Sequence, residues 1–138
     1  MKGQQAIRIA ITTEADIVAA RQSGRGLASE LGFSLTDTTL IATAISEVAR
    51  NITTYARRGE IVCEPIEGSQ GHGLQVIATD YGPGIEDVEL ALQDGFSTGQ
   101  GMGLGLPGAR RLMDEFEIDS EPGRGTKVSM RKWLPRGD

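Results

Sequence analysis

A glycine-dominated segment between Gly82 and Gly108 restricts the fold of this chain more than any other feature. Inside it, glycine stands at every second position, over Gly99, Gly101, Gly103 and Gly105. A glycine-rich backbone that leads into a helix N-terminus presents free N–H groups to an anion. Pro107 suits the first helical turn, where its missing N–H costs nothing. The pattern therefore favours a phosphate-binding loop over a merely flexible one, although it lacks the lysine of a P-loop.

Length and composition indicate one ordinary globular domain over residues 1–138. The chain is 38% hydrophobic and only 4% aromatic, so its core must be built mainly from Ile, Leu, Val, Ala and Met. The net charge of −5 argues weakly against a nucleic-acid partner, because phosphate backbones reward basic surfaces. The N-terminus lacks the segments of a signal peptide, and no apolar run approaches the ~20 residues that span a bilayer. We therefore expect a cytoplasmic protein without a membrane partner.

Cysteine and histidine occur once each, as Cys63 and His72. A lone cysteine cannot form a disulfide within the chain, and no zinc-ligand spacing is present. We interpret both as structural or surface residues, with His72 in a turn.

Caps and periodicity predict a strand and two helices in the first part of the chain. Isoleucines alternate over Ala6–Thr12, as on one face of a strand. A capping-box pattern at Thr13 opens a helix that Gly32 ends. The same pattern at Ser34 opens a second helix, whose apolar residues continue at helical spacing through Tyr55.

The rest of the chain is predicted to contain four strands and two helical stretches. The strands are expected at Glu60–Glu67, Gly73–Asp80, Phe116–Ser120 and Thr126–Leu134, and the helices near 86–93 and over 104–115. Pro65 marks the first of these strands as an edge strand or a bulge. The order of elements predicts an α+β fold, a two-layer sandwich with helices on one face of a mixed, mainly antiparallel sheet.

Glu47 and Asn51 lie four residues apart in the second predicted helix, which places a carboxylate and a carboxamide on one face. Such a pair could hold a metal together with water and phosphate oxygens, because Mg²⁺ uses few protein ligands. The alternative is an ordinary solvent-facing stripe, and the pair alone does not decide between them.

Two glycine motifs follow predicted strands. Asp80-Tyr-Gly82-Pro-Gly84 comes directly after a buried strand, and its glycines permit a tight turn and a close approach of the backbone to a ligand. Asp80 could accept a hydrogen bond from an exocyclic amine such as that of adenine. Gly123-x-Gly125-Thr126 is by itself a common hairpin turn. Each motif is weak alone, but the motifs are specific in this order and at these separations.

Taken in order, these motifs resemble the four boxes of the GHKL superfamily, which includes gyrase, Hsp90, MutL and histidine-kinase ATP-binding domains. The matching residues are Glu47…Asn51, Asp80-x-Gly82-x-Gly84, Gly101-x-Gly103-x-Gly105 and Gly123-x-Gly125-Thr126. Within the superfamily, the chain is most similar to the RsbT-type switch kinases of the bacterial stressosome, relatives of the anti-sigma-factor kinases. The likeness covers essentially the whole chain and implies the Bergerat fold, an α/β sandwich.

The resemblance also implies roles for the matching residues. Asn51 would bind the Mg²⁺ that bridges the ATP phosphates, and Glu47 would be the general base towards the attacking hydroxyl. Asp80 would bond the adenine amine, and Thr126 would support that site. The base pocket would be shaped by Gly82 and Gly84. Phosphate contacts would come from a lid at 94–104 and the residues beside it, including Gly101, Gly103, Gly105 and Leu106.

A substrate class follows from the same resemblance. Such kinases use Mg-ATP to phosphorylate Ser or Thr on STAS-domain proteins of the stressosome scaffold. They are then released to activate a downstream phosphatase or another regulator. Arg21 and Arg25, one turn apart on the first helix, are either a solvated face or part of the partner-docking surface. The lid has no lysine, so a cation for the γ-phosphate must come from elsewhere, with Arg50 and Arg110 as candidates.

A rival hypothesis keeps the ATP site but makes the protein an ATP-gated, anti-sigma-like binding module with little or no kinase activity. Glu47 weighs against it, because binding Mg-ATP requires no base. A histidine-kinase catalytic domain would need a helical segment with a phosphorylatable histidine, and a gyrase-type motor would need a transducer domain. We expect neither.

Overall fold

The computed structural model describes residues 6–82 and 105–135. In chain order the described elements are β1 (Ile7–Ile11), α1 (Glu14–Leu31), α2 (Leu35–Tyr55), β2 (Gly59–Gly68), β3 (Gly71–Asp80), α3 (Gly105–Leu112), β4 (Glu115–Glu121) and β5 (Gly125–Trp133). The predicted helical stretch near 86–93 lies outside the described residues.

The strands form a five-stranded sheet in the order β1-β2-β3-β5-β4, and all the described pairs are antiparallel. Helices α1 and α2 pack against each other and against the sheet, and α3 packs on α2. The core between the two layers is aliphatic, as the composition predicted, and includes Ile41, Ile45, Leu74, Val76 and Met130. The predicted α+β fold class is confirmed.

The predicted caps set the boundaries of α1. Thr13 accepts a hydrogen bond from the backbone N–H of Asp16, and the Asp16 carboxylate accepts one in return from the N–H of Thr13, which completes the capping box. Gly32 ends the helix in the left-handed region, at φ 102°. Inside the helix, Gly24 lies against Ile45 of α2, where a β-carbon would clash with the isoleucine side chain. The glycine therefore lets the two helices approach closely.

Helix α2 carries the site residues and begins and ends where its sequence predicts. Ser34 accepts from the N–H of Asp37 at 3.0 Å, and the Ala56 N–H donates to the Ile52 carbonyl at 2.9 Å after the last turn. Buried residues recur at helical spacing through Ile41, Ile45, Val48 and Ile52. One face of α2 is thereby fixed to the core, and the adjoining face holds the polar residues of the site.

Pro65 lies in the second half of β2, and only this half of the strand is at an edge of the described sheet. Strand β2 lies between β1 and β3, but β1 pairs with it only as far as Cys63. On one side, Pro65 pairs with Leu74 of β3. On the other side, where a neighbouring strand would need the backbone N–H that proline lacks, it faces no described strand. The prediction of an edge strand is therefore wrong for β2 as a whole and correct for its second half.

Two other boundaries differ from the predictions. Helix α3 ends at Leu112, before the predicted end at Glu115, because the Asp114 N–H already donates to the Arg131 carbonyl of the sheet at 2.9 Å. His72 lies in β3, opposite Glu67, and the turn is formed by the two residues between Gly68 and Gly71. Cys63 is buried in β2, and this burial raises the pKa of its thiol to about 12. The residue is structural, as predicted.

Candidate functional site

Asp80 ends β3 with its carboxylate buried and held by the backbone. One oxygen, Oδ1, accepts from the N–H of Gly82 at 3.0 Å and from the N–H of Thr126 at 3.1 Å. The residue is only 6% exposed. A buried carboxylate is costly unless it is hydrogen-bonded, and these two donors supply that stabilisation. They also fix the orientation of the group, so Oδ2 has a defined direction.

Thr126 joins the site from β5. It is buried, and its hydroxyl lies 2.8 Å from the hydroxyl of Ser120 on β4. The Ser120 hydroxyl also donates to the Gly125 carbonyl at 3.3 Å. The two strands thus contribute a small polar cluster behind Asp80. Sequence reasoning missed Ser120, because its place opposite Thr126 depends on the register of the β4–β5 hairpin.

Glycines at this end of the sheet allow close backbone approaches. Gly125 has φ 103°, and a β-carbon there would clash with the Asp80 carbonyl oxygen. A β-carbon on Gly82 would lie 2.5 Å from the β-carbon of Ala56, just after α2. Both glycines are therefore required for the packing of these backbone segments. They bring the end of β3, the start of β5 and the end of α2 together.

Glu47 and Gly105 form the second half of the site. The Glu47 carboxylate, on α2, accepts from the N–H of Gly105 through Oε1 at 3.0 Å. Gly105 is the first residue of α3 and adopts φ 47°. The side chain of Glu47 is only 13% exposed, and its Oε2 lies 3.9 Å from the Arg50 guanidinium. A carboxylate at a helix N-terminus is favourable, because the free N–H groups there carry partial positive charge.

Asn51 lies one turn after Glu47 on α2 and is half-buried. Its amide oxygen and the neighbouring carboxylate are hard oxygen donors of the kind that Mg²⁺ prefers. The described residues contain no group of three or more His, Cys, Asp or Glu side chains that could hold a metal ion alone. The two oxygen donors of Glu47 and Asn51 fit a magnesium ion that takes most of its ligands from phosphate and water.

The remaining predicted site residues fall into three groups. Leu106 is buried in the core beneath α3, so any contact with a ligand would come from its backbone. Arg21 is half-buried and Arg25 is exposed on α1. Gly84, Gly101, Gly103 and the rest of the predicted lid lie outside the described residues.

One more charged residue of the site escaped sequence reasoning. The Glu14 carboxylate, in the first turn of α1, lies 3.9 Å from the Arg50 guanidinium. Nothing in the sequence links these positions, because the contact depends on how α1 and α2 pack.

Among the helices of the described ranges, none is long and apolar enough to cross a membrane.

The fold and the site define a class of ATP-binding domain. The antiparallel sheet is covered by helices. Asp80 places a buried carboxylate at the end of a central strand. Glu47 places a second carboxylate beside Gly105, the residue at which α3 begins. The chain belongs to the histidine kinase-like ATPase domain family, whose profile matches residues 11–132.

Comparison with particular proteins gives the type of enzyme. The chain is 52% identical over 134 residues to the serine/threonine-protein kinase RsbT of Bacillus subtilis (strain 168), covering 97% of this chain and 99% of that protein. It is also 32% identical over 119 residues to the anti-sigma F factor of Thermoanaerobacter sp. (strain X514), covering 83% of each. The expected resemblance and the expected enzyme class, a serine/threonine-protein kinase, are confirmed.

Solved structures support the fold. The crystal structure of the RsbU and RsbW domains of Rv1364c from Mycobacterium tuberculosis aligns with a TM-score of 0.63 at 20% identity. The alignment covers 95% of this chain and 33% of that longer one. The mycobacterial sensor histidine kinase MprB aligns with a TM-score of 0.55 at 15% identity. At these identities the likeness concerns the fold alone.

Proposed function

We propose that this chain is a switch kinase that uses Mg-ATP to phosphorylate Ser or Thr on STAS-domain scaffold proteins. It is thereby released to activate a downstream phosphatase or other regulator. The observation that carries the proposal is the pairing of Glu47 with Gly105, since it places an acidic side chain beside the glycine backbone expected to face the phosphates. The similarity to the serine/threonine-protein kinase RsbT supports the kinase activity in this proposal. In this proposed role, residues 1–138 form a single kinase domain that acts in the cytoplasm.

The adenine end of the proposed site is at Asp80. Because Oδ1 is occupied by two backbone donors, Oδ2 is the oxygen that would accept from the adenine amine. Thr126 would support this contact from β5, and Gly82 and Gly84 would shape the wall of the base pocket. The phosphates would then extend towards the N-terminus of α3, where Gly105, Leu106 and the preceding Gly101 and Gly103 offer backbone donors.

The transfer end of the proposed site is on α2. Asn51 would hold Mg²⁺, which would neutralise charge on the phosphates. Phosphoryl transfer otherwise depends mainly on positioning and on a residue that orients the nucleophile. Glu47 would take that part, accepting the proton of the substrate hydroxyl. For this step the carboxylate must give up or share its bond to Gly105, whose N–H would turn to the phosphate.

The proposal is tested by mass spectrometry of a STAS-domain scaffold protein from the same genome after incubation with this chain and Mg-ATP. Phosphate on a scaffold Ser or Thr is the expected result. It should be absent with Glu47→Ala and absent when EDTA removes the metal. Bound ATP without transfer by the wild-type chain would contradict the kinase proposal.

A second candidate is the ATP-gated binding module. It is favoured by the similarity to anti-sigma F factors over 83% of the chain. In that case ATP would change the affinity for a partner, and Glu47→Ala would leave that affinity unchanged. The scaffold experiment separates the two functions, because only the kinase leaves a covalent phosphate.

A further inference from the structure

We propose that Arg50 is a positioning residue for phosphoryl transfer: it holds the Glu47 carboxylate, and Glu14 holds Arg50 in turn. The inference rests on the proposed function in one respect, namely that Glu47 is the base. It gives Arg50 a different role from the γ-phosphate cation for which the sequence makes it a candidate.

The guanidinium of Arg50 is engaged on two sides. Its Nη1 lies 3.9 Å from Glu47 Oε2, one turn earlier on α2, and its Nη2 lies 3.9 Å from Glu14 Oε2, at the start of α1. The planar fork of an arginine can face two carboxylates at once, which a lysine ammonium cannot do with the same geometry. The arginine therefore links the first turn of α1 to the base.

Each oxygen of the Glu47 carboxylate thus faces a partner on another residue. Gly105 of α3 donates to Oε1 at 3.0 Å, and the Arg50 cation faces Oε2. A general base acts only when it is within reach of the proton it accepts and correctly aimed. When Gly105 turns to a phosphate, Arg50 is the described residue that still holds the carboxylate. That is the moment at which positioning matters for the rate.

The same geometry argues against a direct phosphate role. The charge of a guanidinium that faces two carboxylates is partly offset, and a phosphate could recruit it only by drawing it away from the base. Arg110, exposed on α3, faces no carboxylate among the contacts of the described residues. If a cation of the described residues reaches the γ-phosphate, Arg110 is therefore the better candidate.

The experiment compares Arg50→Gln, Arg50→Lys and Glu14→Gln with the wild-type chain, with Arg58→Gln, an exposed arginine after α2, as the control. For each, the maximal rate of transfer to the scaffold and the dissociation constants of ATP and ADP are measured. We expect Arg50→Gln to lower the maximal rate about tenfold or more, with nucleotide affinity unchanged within about twofold. Arg50→Lys should recover part of the rate, and Glu14→Gln should show a smaller loss than Arg50→Gln.

A readout independent of activity separates this inference from the proposed function. Amide hydrogen exchange at Gly105 in the nucleotide-free chain should be faster in Arg50→Gln, because a less restrained Glu47 protects that N–H less well. If the wild-type chain transfers no phosphate, the proposed function fails, and this exchange measurement still decides whether Arg50 positions Glu47. Unchanged exchange overturns the inference. So does a loss of ATP affinity without loss of ADP affinity in Arg50→Gln, which would make Arg50 a γ-phosphate contact.

Discussion

The backbone N–H of Thr126, at the start of β5, donates to Oδ1 of Asp80, at the end of β3, across 3.1 Å. This bond fixes a buried carboxylate at the point where two neighbouring strands and the end of α2 meet. It depends on Gly125, whose backbone lies directly against the Asp80 carbonyl. The adenine end of the proposed site is therefore built by the packing of the sheet.

Gly125→Ala tests this close approach. Gly125 and Gly123 both have positive φ, 103° and 82°, but a β-carbon on Gly123 meets nothing within 4 Å. Gly123→Ala should cost only the conformational penalty of about 1–2 kcal/mol of unfolding free energy. Gly125→Ala should cost more and should also weaken ATP binding, because the clash moves the Asp80 carbonyl. Denaturant unfolding and calorimetric ATP titration measure both effects, and equal losses in the two variants would contradict the account.

Asp80→Asn separates stability from nucleotide recognition. An asparagine can keep one carbonyl oxygen for the two backbone donors, so the unfolding free energy should fall by only about 1 kcal/mol. Its NH₂ group would replace the oxygen proposed to accept from adenine, and ATP affinity should fall about tenfold or more. Asp119→Asn, at an exposed position on β4, is the matched control. An Asp80→Asn chain that binds ATP as well as the wild type would move the adenine contact elsewhere.

Some of this architecture was predictable because its causes are local. The limits of α1 follow from Thr13 and Gly32, whose effects act over one turn, and the strand positions follow from alternation. Pairings such as Glu47 with Gly105 join residues 58 positions apart. Such pairs are set by how the helices pack on the sheet, and only the resemblance to a known superfamily indicated that they belong to one site.

Where local signals and tertiary contacts compete, the tertiary contacts decide. The sequence predicts a helix as far as Glu115, but Asp114 already joins the sheet through the Arg131 carbonyl, and α3 ends before it. Glu14 and Ser120 could not be identified as site neighbours for the same reason. Their partners lie on other elements, Arg50 on α2 and Thr126 on β5.

Arg21→Glu tests the proposed docking surface on α1. Reversing this charge should weaken binding of the STAS-domain scaffold by about tenfold or more if the arginine faces an acidic partner surface. ATP affinity should stay the same. Lys127→Glu applies the same charge change on the face of the sheet away from the helices and should leave scaffold binding intact. Scaffold titrations of both variants make the comparison, and unchanged binding by Arg21→Glu would discard the surface.

Glu115 should contribute to acid sensitivity. The indole N–H of Trp133 and the Arg131 guanidinium bond its carboxylate at 2.7 and 2.9 Å. These contacts, the indole first, hold the pKa of Glu115 below its ordinary 4.5. A depressed pKa means that the stabilisation is present above the ordinary value and is lost as pH falls through the lower folded-state value.

We therefore expect Glu115→Gln to lower the melting temperature at neutral pH, and its difference from wild type to shrink as the pH falls from above 4.5 through the lower folded-state pKa. Fluorescence of Trp133, the single tryptophan of the chain, reports the same change directly. Glu117→Gln, exposed on the same strand, is the control. A difference that stays constant across this pH range would contradict the assignment.

If Glu47 acts in phosphoryl transfer while the rest of the proposed site binds ATP, Glu47→Gln separates the two roles most directly. The glutamine keeps an oxygen that can accept from Gly105, so the contact between α2 and α3 survives, but it removes the base. In a single-turnover reaction at saturating Mg-ATP, we expect phosphoryl transfer to the scaffold to slow about a hundredfold or more, with ATP affinity unchanged within about twofold. A Glu47→Gln chain that phosphorylates the scaffold at the wild-type rate would contradict the account.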